Sequence, residues 1–288
     1  MADKPIVAAT DGSEESLRAV DWAAREAVLR SAPLRIVSAP GLLPRMMGDH
    51  EKEQYDTVTD VISKNSDRAL QAASERAAKA APGLLIDADH LSGAPADAVT
   101  ESGSGALMLV VGSRGIGAFA ALILGSVSRY AATHASCPVV IVREAPEAVR
   151  RQVGIGLGDL EHAEAPLTFA FEEAALRKAS LIAVHAWHSP ESDISRAGEA
   201  LATPGLHDVE QKATAKLEQV LNDWQARYPG VTVDHDVVRG HPGRALIGLS
   251  ARCDLVVIGR QAAHHGPGSV VNALLSHAHG PVVTVPTT

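Results

Sequence analysis

Cysteine is nearly absent from this 288-residue chain: Cys137 and Cys253 stand far apart, and no CxxC pair occurs. Two such residues make no disulfide framework, and the composition points to a reducing compartment, the cytoplasm. Aromatic residues reach only 3%, too few for the stacking platforms that grip single-stranded nucleic acid. Positive charge is also in deficit. With 26 Lys and Arg against 34 Asp and Glu, the net charge is −8, and the overall charge gives nucleic acid no support as a partner. The apolar runs around Leu107 to Val111 and Val139 to Val142 fall far short of the roughly 20 residues of a membrane helix. The opening Met1-Ala2-Asp3-Lys4-Pro5 has no basic region leading into an apolar stretch, so neither a secretory signal nor membrane insertion is expected. No Gly-Lys-Ser/Thr occurs, which removes the Walker-type phosphate loop and its lysine.

What is present is a repeat. Gly93-Ala94-Pro95-Ala96-Asp97-Ala98 returns 147 positions later as Gly240-His241-Pro242-Gly243-Arg244-Ala245. The same shift lays Glu26-Ala27-Val28-Leu29-Arg30 on Glu173-Ala174-Ala175-Leu176-Arg177, and Val110-Val111-Gly112 on Val257-Ile258-Gly259. One offset held over most of a half-chain means duplication of a whole domain, giving domains at 1–146 and 147–288. In each copy short β-branched runs alternate with Ala-rich amphipathic stretches, the pattern of an α/β doubly wound parallel sheet. In the first copy the reading places strands at Ile6 to Ala9, Arg35 to Ser38, Leu84 to His90, Met108 to Gly112 and Val139 to Val142. Helices are expected at Ser13 to Ser31, Thr57 to Ala81, Pro95 to Gly103 and Ser126 to Ser136. Gly41 to Gln54 and Ser189 to Gly205 read as loops at the carboxyl ends of strands, where such sheets bind ligands.

The fourth strand runs into Gly112-Ser113-Arg114-Gly115, and Gly125-Ser126-Val127-Ser128 then opens a helix, in the pattern G-x2-G-x9-G-[ST]. Glycines let backbone approach phosphate oxygens, and a helix start offers N–H donors to an anion. The bland alternative is a strand-to-helix turn and nothing more. Gly115-Ile116-Gly117-Ala118-Phe119-Ala120 also satisfies G-x-G-x-x-[GA]. It follows the fourth strand, however, and Tyr130 to Arg143 contains no acid to hold a ribose, so a dinucleotide fingerprint is rejected.

These residues, with Ala9-Thr10-Asp11-Gly12-Ser13, Gly93-Ala94-Pro95, Leu124-Gly125-Ser126-Val127-Ser128 and Cys137-Pro138-Val139, resemble the universal stress protein family. The resemblance is specifically to its tandem two-domain actinobacterial members. The resemblance implies two tandem domains, each a five-stranded parallel sheet of order 3-2-1-4-5, with ATP and Mg2+ between strands 1 and 4. It puts Thr10 and Asp11 by the ribose and Ala39 against the adenine through its backbone. Gly112, Arg114 and Gly115 would line the triphosphate, and Gly125, Ser126, Val127 and Ser128 would hold its phosphates. A helix N-cap is the alternative reading of Asp11. The resemblance further implies pairing of domains through their last strands and admits a homodimer and an unidentified protein partner.

The second copy departs from the pattern. Gly158 stands where Asp11 would repeat, with Asp159 next to it, and Ala262 stands for Gly115. The spacing of 13 from Gly112 to Gly125 shrinks to 9 from Gly259 to Gly268. A shortened turn, Gly266-Pro267-Gly268-Ser269, still opens a helix and keeps an anion site available, but ordinary ATP binding is expected only in the first copy. His264, His265, His277 and His279, with His185 and His188 in the second copy's second strand, lack cysteine partners for a zinc site. Trp22, Phe169 and Phe171 read as core residues, and Cys137 as a buried inert thiol. No general base beside the cradle suggests efficient ATP hydrolysis. Three functions compete: a nucleotide-dependent regulatory or stress-response module, a weak ATPase or phosphotransfer enzyme, and a nucleotide-free scaffold.

Overall fold

The computed structural model describes residues 4–41, 52–115, 124–143, 149–187, 206–261 and 268–287. The chain forms two compact units, Met1–Ala145 and Pro146–Thr288.

In unit 1 the elements run β1 (Ile6–Ala9), α1 (Glu14–Arg30), β2 (Leu34–Ser38), α2 (Lys52–Ala80), β3 (Ile86–His90), α3 (Pro95–Ser102), β4 (Met108–Gly112), α4 (Ser126–His134) and β5 (Val139–Val142). The strands are all parallel, in the order β3-β2-β1-β4-β5. Strands β1, β4 and β5 begin and end where the sequence pattern puts them. Helix α2 starts at Lys52, inside the segment read as loop, while 42–51 of that segment lies outside the described residues. Strand β3 starts at Ile86 rather than Leu84, because Leu84 N–H closes a turn on Ala81 O at 3.2 Å.

Burial explains the pattern. β4 and β5 are buried at every position, as a strand covered on both faces must be. The order reverses direction between β1 and β4. With right-handed crossovers, α1 and α2 therefore cover one face and α3 and α4 the other, and the helices pack in those pairs. Small residues dominate α1, where Ala19, Ala23, Ala24 and Ala27 are fully buried.

Unit 2 repeats the scheme with β6 (Gln152–Leu157), α5 (Glu164–Arg177), β7 (Ser180–Trp187), α6 (Leu206–Arg227), β8 (Val233–Arg239), α7 (Pro242–Ser250), β9 (Leu255–Gln261), α8 (Ser269–His277) and β10 (Val282–Thr287). Its order is β8-β7-β6-β9-β10, again parallel and again 3-2-1-4-5. Phe169 and Phe171 are buried, and Trp22 of unit 1 is half-buried. Both cysteines are buried free thiols, and desolvation pushes Cys253 up to about 12. The segment 188–205, which includes His188, lies outside the described residues. Among the described residues no helix is long and apolar enough to cross a membrane.

The repeated Glu-x3-Arg segment has a packing reason. Glu26 and Glu173 are almost fully buried, and each accepts from the arginine one turn later, Arg30 Nε at 2.6 Å and Arg177 Nε at 2.8 Å. A buried carboxylate needs such a partner.

Candidate functional site

The site is a cavity of about 530 Å³ at the carboxyl ends of β1 and β4, the switch point of unit 1. All ten residues singled out in the sequence line it: Thr10, Asp11, Ala39, Gly112, Arg114, Gly115, Gly125, Ser126, Val127 and Ser128. Pro40, Pro95, Val99 and Ser16 line it too, and sequence reading missed them as site residues. Pro95 was signalled: it stands at the start of α3, after Gly93 with φ +105°, and touches the region of Gly41, where an added Cβ would meet Pro95 Cγ at 2.9 Å.

The turn after β1 is closed by its own side chains. Gly12, at φ +84°, takes a left-handed conformation, and its N–H donates to Thr10 Oγ1 at 3.1 Å. Thr10 Oγ1 pairs with Ser16 Oγ at 3.1 Å, and Ser16 Oγ–H donates to Ser13 O at 2.9 Å. Ser13 is the helix cap, its hydroxyl oxygen accepting from Ser16 N–H at 3.3 Å. Asp11 is therefore not the N-cap. Its Oδ1 accepts from Ser13 N–H at 3.0 Å and from Ser13 Oγ–H at 2.6 Å, which fixes the carboxylate so that Oδ2 faces Gly115. A Cβ at Gly115 would overlap that oxygen.

Gly112 has a structural reason to be glycine. The backbone of Glu15 and Ser16 crosses it so closely that an added Cβ would lie 2.9 Å from their atoms. Gly125 has no such reason: its φ of −69° suits any residue, and its nearest neighbour to an added Cβ is 3.6 Å away. A side chain there would enter the cavity instead. As N-cap of α4 it supplies no side-chain cap, so the first-turn N–H groups at Ser126, Val127 and Ser128 present a positive end to the cavity.

Ser128 behaves differently from its sequence reading. Its buried hydroxyl donates to Gly112 O at 2.6 Å, tying α4 to the end of β4, so that proton is not available to a phosphate. Tyr130 on the same helix donates to Asp97 of α3, which holds its phenol above the usual range. Residues 116–123, including Gly117, lie outside the described residues.

The corresponding edge of unit 2 is built otherwise. Leu157 and Ala163, both buried, replace Thr10 and Ser16 in the repeat. Asp159 accepts from Glu161 N–H at 2.9 Å and from His162 Nδ1 at 2.8 Å. The imidazole hydrogen bond lowers the Asp159 pKa, and the same bond raises that of His162. Helix α5 begins only at Glu164, two residues before Pro166, which a helix tolerates only in its first turn. Strand β9 continues to Gln261, with Arg260 opposite Pro286 and Gln261 opposite Thr287 in β10. Ser113, the counterpart of Arg260, keeps its N–H on Val142 O at 3.0 Å but its carbonyl accepts from Gly125 N–H at 2.8 Å, whereas Arg260 O accepts from Thr287 Oγ1 at 3.1 Å. Helix α8 also starts at a glycine, Gly268, without a side-chain cap; 262–267, with His264, His265 and Gly266, lies outside the described residues. Among the described residues no cluster of three or more His, Cys, Asp or Glu could hold a metal ion.

Comparison with known proteins agrees with this architecture. A family model described as the universal stress protein family matches residues 3–143 and again 150–286. A universal stress protein of Mycobacterium tuberculosis (strain H37Rv) is 33% identical over 296 residues, covering 96% of this chain and 95% of its own. One of Mycolicibacterium smegmatis is 32% identical over 291 residues, covering 98% and 94%. Among solved structures, a universal stress protein from Archaeoglobus fulgidus covers 99% of both chains with a TM-score of 0.72 at 16% identity, a likeness of fold.

Proposed function

Because this chain belongs to the universal stress protein family, we propose that unit 1 binds ATP and that the bound nucleotide makes the protein a regulatory module of a stress response. The observation that carries this reading is the cavity itself, where a strand end, an uncapped helix N-terminus and a fixed carboxylate meet at the switch point. Its volume is in the range of small-molecule sites.

The residues fit a nucleotide. Pro95, Val99 and the backbone at Ala39 and Pro40 offer an apolar slot for a base. Asp11, held by Ser13, suits a ribose hydroxyl as donor to its carboxylate. Phosphates would meet the N–H groups of Ser126, Val127 and Ser128, with Arg114 beside them. Mg2+ would travel with the phosphates and neutralise part of their charge. The extended β9 and the Leu157 and Ala163 pair support confining ATP to unit 1, leaving unit 2 a structural or differently liganded copy.

The reading is of binding rather than turnover, since Asp11 is the one carboxylate among the described lining residues and Ser13 already holds it. The test is to release nucleotide from freshly purified protein with acid, identify it by chromatography, and repeat after loading with ATP and Mg2+. Bound ATP that disappears in Asp11→Ala is the expected result. No nucleotide after loading at millimolar ATP would overturn the reading, and ADP accumulating with time would favour the weak-ATPase alternative.

A further inference from the structure

We propose that Glu15 sets the specificity of the unit 1 cavity for anionic ligands, by holding Arg114 until a ligand anion takes its place and then passing to Arg18. This rests on the nucleotide reading above. Arg114 is the only cation among the described residues that line the cavity. Its Nη2 lies 3.5 Å from Glu15 Oε1, and the same oxygen lies 3.7 Å from Arg18 Nη2. Glu15 thus stands between two guanidinium groups, at ion-pair distance from both and farther than a hydrogen bond. Arg18 Nε is buried and has no hydrogen-bond partner among the described residues. It therefore waits for an acceptor that Glu15 can supply.

The backbone cannot carry Glu15 away, because its carbonyl is pressed against Gly112 at the end of β4. Only the side chain can move, and its two destinations are the two arginines. A phosphate at the start of α4 competes directly for Arg114, whose planar fork suits phosphate better than one long carboxylate contact. Glu15 then faces like charge and moves toward Arg18, where it can satisfy the buried Nε. A ligand without phosphate exerts no such force.

The repeat supplies an independent observation. In unit 2 the three positions are His162, Ala165 and Gln261, so neither arginine exists there and no carboxylate occupies the middle place. The trio occurs in the copy whose strand end opens into the cavity.

The experiment is calorimetric titration of ATP, AMP and adenosine into the full chain, as wild type, Glu15→Gln, Arg18→Gln and the double variant Glu15→Gln with Arg114→Gln. Glu15→Gln should tighten ATP by about two- to fivefold, the range of an exposed ion pair, tighten AMP less and leave adenosine unchanged. Arg18→Gln should weaken ATP by a similar factor, because Glu15 then stays on Arg114. The gain from Glu15→Gln should vanish when Arg114 is also replaced. An equal gain for adenosine, a gain that survives without Arg114, or no gain while the wild type binds ATP would each overturn the gate alone. A wild type that binds none of the three ligands would overturn the nucleotide reading, and the gate with it.

Discussion

Unit 1 ends β4 at Gly112, and Ser113, its N–H still held by Val142 O at 3.0 Å, accepts from Gly125 N–H at 2.8 Å, whereas unit 2 carries β9 on to Gln261 and pairs it with Thr287 of β10. The sheet order is the same in both. The two copies therefore part just past Gly112 and Gly259: Ser113 O accepts from the N–H that starts α4, while its counterpart Arg260 O accepts from Thr287 Oγ1 at 3.1 Å. The turn after the first strand differs in parallel: hydroxyls of Thr10, Ser13 and Ser16 organise it in unit 1, and Leu157, Ala163 and Pro166 fill it in unit 2. Away from that edge the difference is one of packing. The α5–α6 contact is made by Phe171, Trp224 and Tyr228, whose rings lie 5.4 to 6.3 Å apart. The same repeat positions in unit 1 are Ala24, Ala77 and Ala81, all buried. One fold thus tolerates either close helix approach over alanines or a wider contact filled by rings.

The largest effect expected from breaking this comparison is at Gly115. Gly115→Glu would drive its Cβ into Asp11 Oδ2 and set a second carboxylate at the cavity, and it should weaken ATP binding by more than about a hundredfold, through steric overlap and like-charge repulsion of the phosphates together. Gly268→Glu in unit 2 should leave ATP affinity unchanged, which titration calorimetry of both variants checks. Next come the paired arginines. Arg30→Ala and Arg177→Ala each take the hydrogen-bonded guanidinium from a buried glutamate and should each cost about 3 kcal/mol, read from urea unfolding of the unit concerned. A cost confined to one copy would show that the repeated ion pair is not equivalent in the two.

Ser128→Ala should be milder. Losing the bond to Gly112 O costs about 1 to 2 kcal/mol and loosens the start of α4, seen as faster amide exchange there. Unit 2 has Val271 at that place, so Val271→Ala should not affect exchange at the end of β9. The smallest effect concerns pH. Asp159 is depressed, so its contribution is present above the ordinary carboxylate range and is lost as pH falls through its folded value. His162 is raised, so its contribution is full below the ordinary histidine range and is lost as pH rises through its folded value. The start of α5 should therefore be best protected between those two limits. Unit 1 has Glu15 at the repeat position of His162, and amide exchange at Glu161 against pH, compared with Ser13, tests the contrast.

Much of this was legible in the sequence because the signals were local. Strands β1, β4 and β5 are short apolar runs between glycines, prolines and polar residues, and Gly112, Gly115 and Gly125 stand out by spacing, while the role of Asp11 came with the family resemblance. The start of α2 was not legible, because Lys52-Glu53-Gln54-Tyr55-Asp56 carries no apolar stripe to mark a helix. Pro40, Val99 and Ser16 join the cavity only through the crossing of distant segments. The extra length of β9 was hidden because Arg260 and Gln261 look like loop residues, and their pairing with Pro286 and Thr287 is a non-local fact. Ser128 was read by its place in a motif, yet its hydroxyl is turned to the carbonyl of Gly112.

The most direct test of the two-copy account is native mass spectrometry of the full chain after loading with ATP and Mg2+, counting nucleotides per chain. One ATP per chain, lost in Gly115→Glu and retained in Gly268→Glu, is the predicted result. Two per chain, or one that survives Gly115→Glu, would contradict it.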